Sequence, residues 1–384
     1  MIQSILRELS QLPHRGAATA QEKKASQLLQ DTLATMGAIV RTEPFQTPKT
    51  YVTVVYWLIG GLLTGLALVP VTGVAVGFVW YFVWLSWRYF NWQYSFVTRF
   101  PIQHTAHNVV GHWPASGGED PPRKVILMAH YDTAPVSILY KPTQQTNFRT
   151  SLIISLCLMV LAALAAFAEA VSVGLPYVTY LRYGLMVYFV GQAIVGTMGY
   201  WLKGYTNGAS DNATGVAAAL ATADRLRKAI LPNVAIDVVL TSAEEAGMIG
   251  AYHYVERHKK EWKRPQTLVI NFDTLGSGTL TVVEQTGTLD IIRYNNEPTR
   301  LARQLIETDT FRDRAQAGRW HTADFDSVWF VRNRIPVLAL CALDAGGQMP
   351  RIHQPDDTLD QVDVRPLETA VDLAEAVVNK WIYG

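Results

Sequence analysis

The sequence predicts an α/β domain built on a mixed, mostly parallel sheet, with about four membrane-crossing helices inserted into it as two hairpins. Three observations lead there. Short, β-branched apolar runs such as KVILMAH (124–130) and VAIDVVL (234–240) alternate with helical stretches, the pattern of strands covered on both faces. Chemically distinctive polar residues stand where those runs stop. Two long blocks also carry no charge over spans close to the length a helix needs to cross a bilayer.

The composition sets the outer limits. A chain of 384 residues easily supports a buried core, and its formal charge of +1 gives no sign of a nucleic-acid partner. The charged fraction is 17%, low for a globular protein, because the charge is absent from the two blocks. The two cysteines, Cys157 and Cys341, both sit in apolar runs, so no disulfide framework is expected. The N-terminus lacks the basic start, apolar middle and small-residue cleavage site of a signal peptide.

Taken in order, the chain opens with an amphipathic helix over residues 2–12 and a longer one over 20–36. The second carries Leu28, Leu29 and Leu33 and closes at Gly37. The strand AIVRTEPF follows. Residues 51–87 are uncharged, and Pro70 with Gly73 splits them into two spans of about 17 to 19 residues. Trp80, Trp84, Trp87 and Trp92 gather with Arg88 at one end, as interfacial aromatics do. NVVGHWP and KVILMAHYDT read as strands. A second uncharged pair, 151–168 and 183–202, is separated by Glu169, Gly174, Pro176 and Arg182.

Two hairpins, 51–90 and 150–202, each leave and re-enter on one side, so segments 1–48, 100–149 and 203–384 can fold together as one domain. Lys and Arg near the span ends favour that side: Arg41, Lys49, Arg88, Arg99, Lys141, Arg149 and Lys203 against Arg182 alone at the tips. The bias predicts a multi-pass protein whose globular part is cytoplasmic.

The candidate site residues nearly all lie where apolar strands end or a helix begins. HYD puts His130 and Asp132 on one side of a strand end, where the carboxylate can support the imidazole. SDNATG puts Asp211 and Asn212 before a small-residue helix. AEEAG places Glu244 and Glu245 just after a strand, NFD ends a strand at Asp273, and His353 lies in HQPDDTLD ahead of the last helix. Each has an ordinary reading: a structural pair at His130 and Asp132, an N-cap at Asp211 or Asn212, a solvated loop pair at Glu244 and Glu245, a loop or capping residue at His353. Together they form a nitrogen and oxygen donor set without thiolates, which suits zinc, with cobalt or manganese as alternatives. Five ligands exceed one tetrahedral site, so a bridged pair of ions fits better.

In this order the five motifs resemble the di-zinc aminopeptidases of metallopeptidase family twenty-eight, clan MH. The resemblance covers the polar segments and leaves the two hairpins outside it. It implies a three-layer α/β/α zinc exopeptidase-like domain with two Zn2+ ions. His130 and Asp273 would hold one, Glu245 and His353 the other, and Asp211 would bridge them. Glu244 would be the general base, Asp132 the carboxylate behind His130, and the Asp211–Asn212 peptide would be cis. The family's Ser-Asp-His-x-x-Phe segment corresponds here to residues 322–327, where the aspartate is kept and the histidine is not. Arg319, Trp320 and His321 are the remaining candidates for that wall of the pocket.

The expected function is a membrane-anchored zinc aminopeptidase acting on peptides, with the bilayer close to its mouth. The alternatives are hydrolysis of acylated amino acids, a glutaminyl cyclase-type acyl transfer, and a receptor-like protein without catalysis. A transporter is disfavoured because the uncharged spans offer no ion path.

Overall fold

The computed structural model describes residues 1–116, 123–171, 176–229, 231 and 233–384. Nine strands form one sheet among them: β1 Ile39–Thr47, β2 His104–Trp113, β3 Arg123–His130, β4 Val234–Thr241, β5 Thr267–Phe272, β6 Thr279–Thr286, β7 Ile292–Arg293, β8 Ala315–Arg319 and β9 Val337–Leu343. Their order is β1-β2-β4-β3-β5-β9-β6-β7, with β8 also paired to β6. The centre, β4-β3-β5-β9, is a contiguous parallel block, and antiparallel pairs (β1 with β2, β2 with β4, β6 with β9 and β7) flank it.

The helices are α1 Ile2–Ser10, α2 Ala20–Thr35, α3 Tyr51–Leu68, α4 Val74–Phe90, the short α5 Pro142–Gln145, α6 Phe148–Val171, α7 Pro176–Lys203, α8 Thr214–Lys228, α9 Ile249–His258, α10 Glu297–Ile306, the short α11 Val328–Arg332 and α12 Arg365–Tyr383. Strand β3 shows how the sheet is covered twice. Val125, Leu127 and Ala129 face a core built with α1, α2, α8, α10 and α12, while Ile126 and Met128 face one built with α9 and α11. That period of two with both faces apolar explains the unbroken hydrophobic run. Gly37 ends α2 in the left-handed region (φ +79°), as its position after the periodic leucines predicts.

The small residues of α8 let it sit close beneath the sheet. A Cβ on Gly215 would lie 2.5 Å from the Phe272 carbonyl oxygen and 2.2 Å from Asn212 Oδ1. Asn212 itself accepts from Gly215 N at 2.9 Å and from Thr274 N at 3.0 Å, and donates to the Phe272 carbonyl at 3.0 Å. The capping reading therefore holds for Asn212, which frees its neighbour Asp211 for the site. The Asp211–Asn212 peptide is cis.

The four apolar helices share one core, in which Leu58, Val79, Met159 and Phe189 meet. Gly61 and Gly65 bring α3 against α4: a Cβ there would lie 2.1 Å from the Phe82 ring and 2.7 Å from the Val79 side chain. Large apolar side chains on the outer faces stay exposed, including Trp57, Ile154, Leu164, Phe167, Val187 and Ile194. Three of the helices, α3, α6 and α7, are long and apolar enough to cross a membrane, rather than the four expected. The fourth, α4, stops at Phe90 after 17 residues. A second difference concerns Glu169 and Arg182, expected between the spans. Both lie on the helices, α6 and α7, because they neutralise each other: Arg182 Nε donates to Glu169 Oε2 at 2.7 Å, and its Nη1 donates to the Leu66 carbonyl at 2.8 Å. The expectation of spans without ionisable groups is corrected accordingly. Cys157 and Cys341 are both free.

Candidate metal centre

In a parallel block the carboxyl ends of the strands open on one edge, and that edge is where functional groups gather. His130 is the last residue of β3, Asp273 follows β5 directly, and Glu244 and Glu245 follow β4 in a turn tightened by Ala243 at φ +56°. Asp211 comes in from the irregular turn before α8, and His353 from the loop after β9, at φ +55°.

The structure brings His130, Asp273, Glu245 and His353 around Asp211, with Glu244 beside His130 and Glu245. His130 Nε2 lies 3.3 Å from Asp211 Oδ1 and 3.6 Å from Asp273 Oδ2. His353 Nε2 lies 3.1 Å from Glu245 Oε2 and 3.5 Å from Asp211 Oδ2. One oxygen of Asp211 thus faces each histidine. Ligand atoms of His130, Asp211 and Asp273 all fall within 4.8 Å of one another, and so do those of Asp211, Glu245 and His353 and those of His130, Glu244 and Glu245.

Asp132 stands behind His130 and also serves a second purpose. Its Oδ1 is 3.6 Å from His130 Nδ1, beyond hydrogen-bond reach, and the imidazole meets its backbone carbonyl at 3.2 Å instead. The carboxylate accepts from Glu244 N at 3.1 Å and Glu245 N at 3.3 Å. Asp132 therefore fixes the turn that aims the glutamate pair.

The charges do not balance without cations. His130, Asp132, Asp211 and Asp273 are at most 5% exposed, and a buried carboxylate needs a partner. Burial pushes the Glu244 carboxyl well above its usual range, against the pull of His130, with Glu245 adding to the rise. Burial and then the Asp211 charge do the same to Glu245. Asp273 is also raised by burial. His130 would be lowered by burial, yet Asp273 and Glu244 raise it well above an ordinary imidazole, whereas burial lowers His353. Asp211 Oδ2, Glu245 Oε1 and His353 Nδ1 have no hydrogen-bond partner among the described residues. The two carboxylate oxygens offer unshared lone pairs of the kind a divalent cation satisfies, and zinc takes carboxylate and imidazole ligands.

Two residues outside the sequence-derived candidates hold the site together. Arg15, fully buried, donates to the carbonyls of Tyr131, Asn207 and Gly208 at 2.7, 2.8 and 2.7 Å, tying the loops that carry Asp132 and Asp211 to the N-terminus. Asp357 accepts from Ser210 N at 2.7 Å and Asp211 N at 3.1 Å. Its motif, HQPDDTLD, was visible in the sequence; its target was not. Arg15 stands in HRGAATA, where nothing local marks it.

Of the proposed wall residues, Trp320 lines the adjoining cavity with Ala323, Asp324 and Phe325. Arg319 and His321 do not line it; His321 Nδ1 lies 3.2 Å from the Gly287 carbonyl oxygen. Asp326 is buried beside the site, hydrogen-bonded by Thr241 Oγ1. Burial pushes Asp324 and Asp326 up to about 7.

Residues 194–378 match the model of Peptidase family M28, a stretch that contains Asp211, Glu244, Glu245, Asp273 and His353 and begins after His130 and Asp132. Aminopeptidase YwaD of Bacillus subtilis (strain 168) is 29% identical over 182 residues, 45% of this chain; the chain spans 38% of the length of that relative. Among solved structures, a zinc aminopeptidase from Bacillus subtilis has a TM-score of 0.58 at 14% identity, covering 99% of this chain and 94% of that one. An aminopeptidase from Aneurinibacillus sp. strain AM-1 has 0.59 at 14%, covering 99% and 92%. A glutaminyl cyclase from Porphyromonas gingivalis has 0.57 at 13%, covering 99% and 96%. These structures share the α/β zinc exopeptidase-like fold.

Proposed function

We propose that this chain, whose residues 194–378 match the model of Peptidase family M28, is a membrane-anchored zinc aminopeptidase of that family. The observation that carries the reading is the placement of Asp211 between His130 and His353, one carboxylate oxygen toward each. In this reading segments 1–48, 100–149 and 203–384 make one peptidase domain, and hairpins 51–90 and 150–202 anchor it with the domain on the cytoplasmic side. Protease digestion of sealed vesicles reads that side directly.

His130 and Asp273 would hold one zinc ion, Glu245 and His353 a second, with Asp211 shared. When bound, the ions supply Lewis acidity toward a water and toward the amide carbonyl. Glu244 lies beside His130 and Glu245 without being needed as a ligand, which places its carboxylate where a proton must be taken and returned. A carboxylate oxygen of Glu244 accepts a proton from the attacking water as the oxygen bonds to the carbonyl carbon. The C–N bond then breaks and the same carboxyl passes the proton to the departing amine, so that water is added across the amide. Asp132 keeps Glu244 aimed through its backbone N–H.

Glu244→Gln keeps the shape and loses the base. Zinc content should be unchanged while kcat on an aminoacyl amide falls by about 10²- to 10⁴-fold. Turnover at the unsubstituted rate in zinc-replete Glu244→Gln protein would refute the assignment.

A further inference from the structure

The metal centre does not open onto a shallow cleft. It forms one end of a cavity of about 480 Å³ whose other end lies among the apolar helices. Glu244, Glu245, Asp273 and His353 line the first end; Leu58 and Ile59 of α3, Leu156 and Met159 of α6 and Val195 of α7 line the second. The volume is in the range that takes a whole small ligand.

Two features specify what fits. The far wall is mostly apolar, with Ser151, Ser155 and Gln192 among its side chains, and belongs to the helices whose outer faces expose Ile154, Leu164 and Val187, so an apolar chain lying there is shielded from water. Beyond the residues that would hold the ions, the near wall adds an acidic acceptor, Asp324. No Lys or Arg is among the described residues that line the cavity, and Asp324, 4% exposed, lines it with Oδ2 unpartnered. A free amine is matched by that wall, whereas a free carboxylate finds no side-chain cation along it.

We propose that the cavity is a subsite for the alkyl chain of a membrane-borne amphiphile carrying a free α-amine beside the scissile amide: an aminoacyl amide or short peptide with a long aliphatic chain. The inference rests on the aminopeptidase reading for the fate of the amide, but the seating of the chain is a separate physical claim. The alkyl chain belongs either to the departing amine or to the first residue's side chain, and the two sources are tested in parallel. Each methylene that enters the cavity adds at most about fourfold to binding.

The test uses the full zinc-loaded chain in nanodiscs with two substrate series, L-leucyl n-alkylamides from ethyl to dodecyl and 2-aminoalkanoyl anilides of matching lengths. In at least one series kcat/KM should rise tenfold or more from the two-carbon to the ten-carbon member, and Leu156→Trp should flatten that slope. Met159→Phe, a smaller intrusion, gives the same reading if Leu156→Trp does not fold. Flat profiles in both series, or a slope untouched by either substitution, overturn the subsite. If no member of either series is cleaved, the catalytic reading fails, and photolabelling by decylamine with a terminal diazirine still decides the cavity. Labelling of Leu58, Leu156 or Met159 supports it, and labelling confined to outward residues such as Leu164 and Val187 overturns it.

Discussion

At the residue scale, the candidate ligands were legible because His130, Glu245 and Asp273 stand where strands stop, Asp211 where a helix begins and His353 in a polar loop, and strand ends in a parallel block converge on one edge. Less legible was the use each carboxylate makes of its two oxygens. The spacing of HYD predicts a carboxylate supporting an imidazole, and in the folded chain Asp132 also gives both oxygens to the backbone of Glu244 and Glu245, 112 and 113 positions away. No local pattern encodes such a contact; it depends on β3 and β4 being neighbours. Asp132→Asn replaces one acceptor by an amide that opposes the Glu245 or Glu244 N–H. The glutamate turn then loosens, and zinc affinity, measured by competition with a chromophoric chelator, should fall by about 10- to 100-fold. Unaltered affinity together with unaltered turnover would remove Asp132 from the account. Arg15 and Asp357 were missed for the same reason, since each acts on a backbone loop from more than a hundred positions away.

At the scale of elements, the apolar runs were read correctly as long helices, but their ends were not. A charged residue in an apolar block looks like a boundary, and Glu169 and Arg182 were placed between spans on that ground. They are instead one ion-paired unit, with Arg182 1% exposed, Glu169 half-buried, and the guanidinium bonded to both Glu169 and the α3 backbone. The ion pair locks α6 to α7 and Arg182 to α3. Removing one partner leaves the other charge uncompensated, so Arg182→Ala should lower stability by about 3–5 kcal/mol, read as the unfolding midpoint in detergent. Replacing both residues by Met should recover most of that loss. A midpoint unmoved by Arg182→Ala would mean that the pair carries no structural load. Close approach at Gly61 and Gly65 is the other lock, and there the sequence did carry the signal, as two glycines four positions apart in an apolar helix.

At the scale of the molecule, the order β4-β3-β5-β9 turns a scattered set of side chains into one centre. It brings residues from position 130 to position 353 to the same edge, and the hairpin formed by α6 and α7 is spliced between His130 and Asp211. That splice is why the cavity leaving the metal centre runs into the apolar helices. The motif order made the α/β architecture legible, whereas the continuity of cavity and helices was not, because it depends on which side chains of α3, α6 and α7 meet the site in the folded chain. The central claim is that Asp211 is shared between two cations. Crystals of the zinc-loaded protein measured on both sides of the zinc absorption edge test it most directly. The account predicts two anomalous peaks flanking the Asp211 carboxylate, one beside His130 and Asp273 and one beside Glu245 and His353; a single peak, or zinc bound away from Asp211, would contradict it.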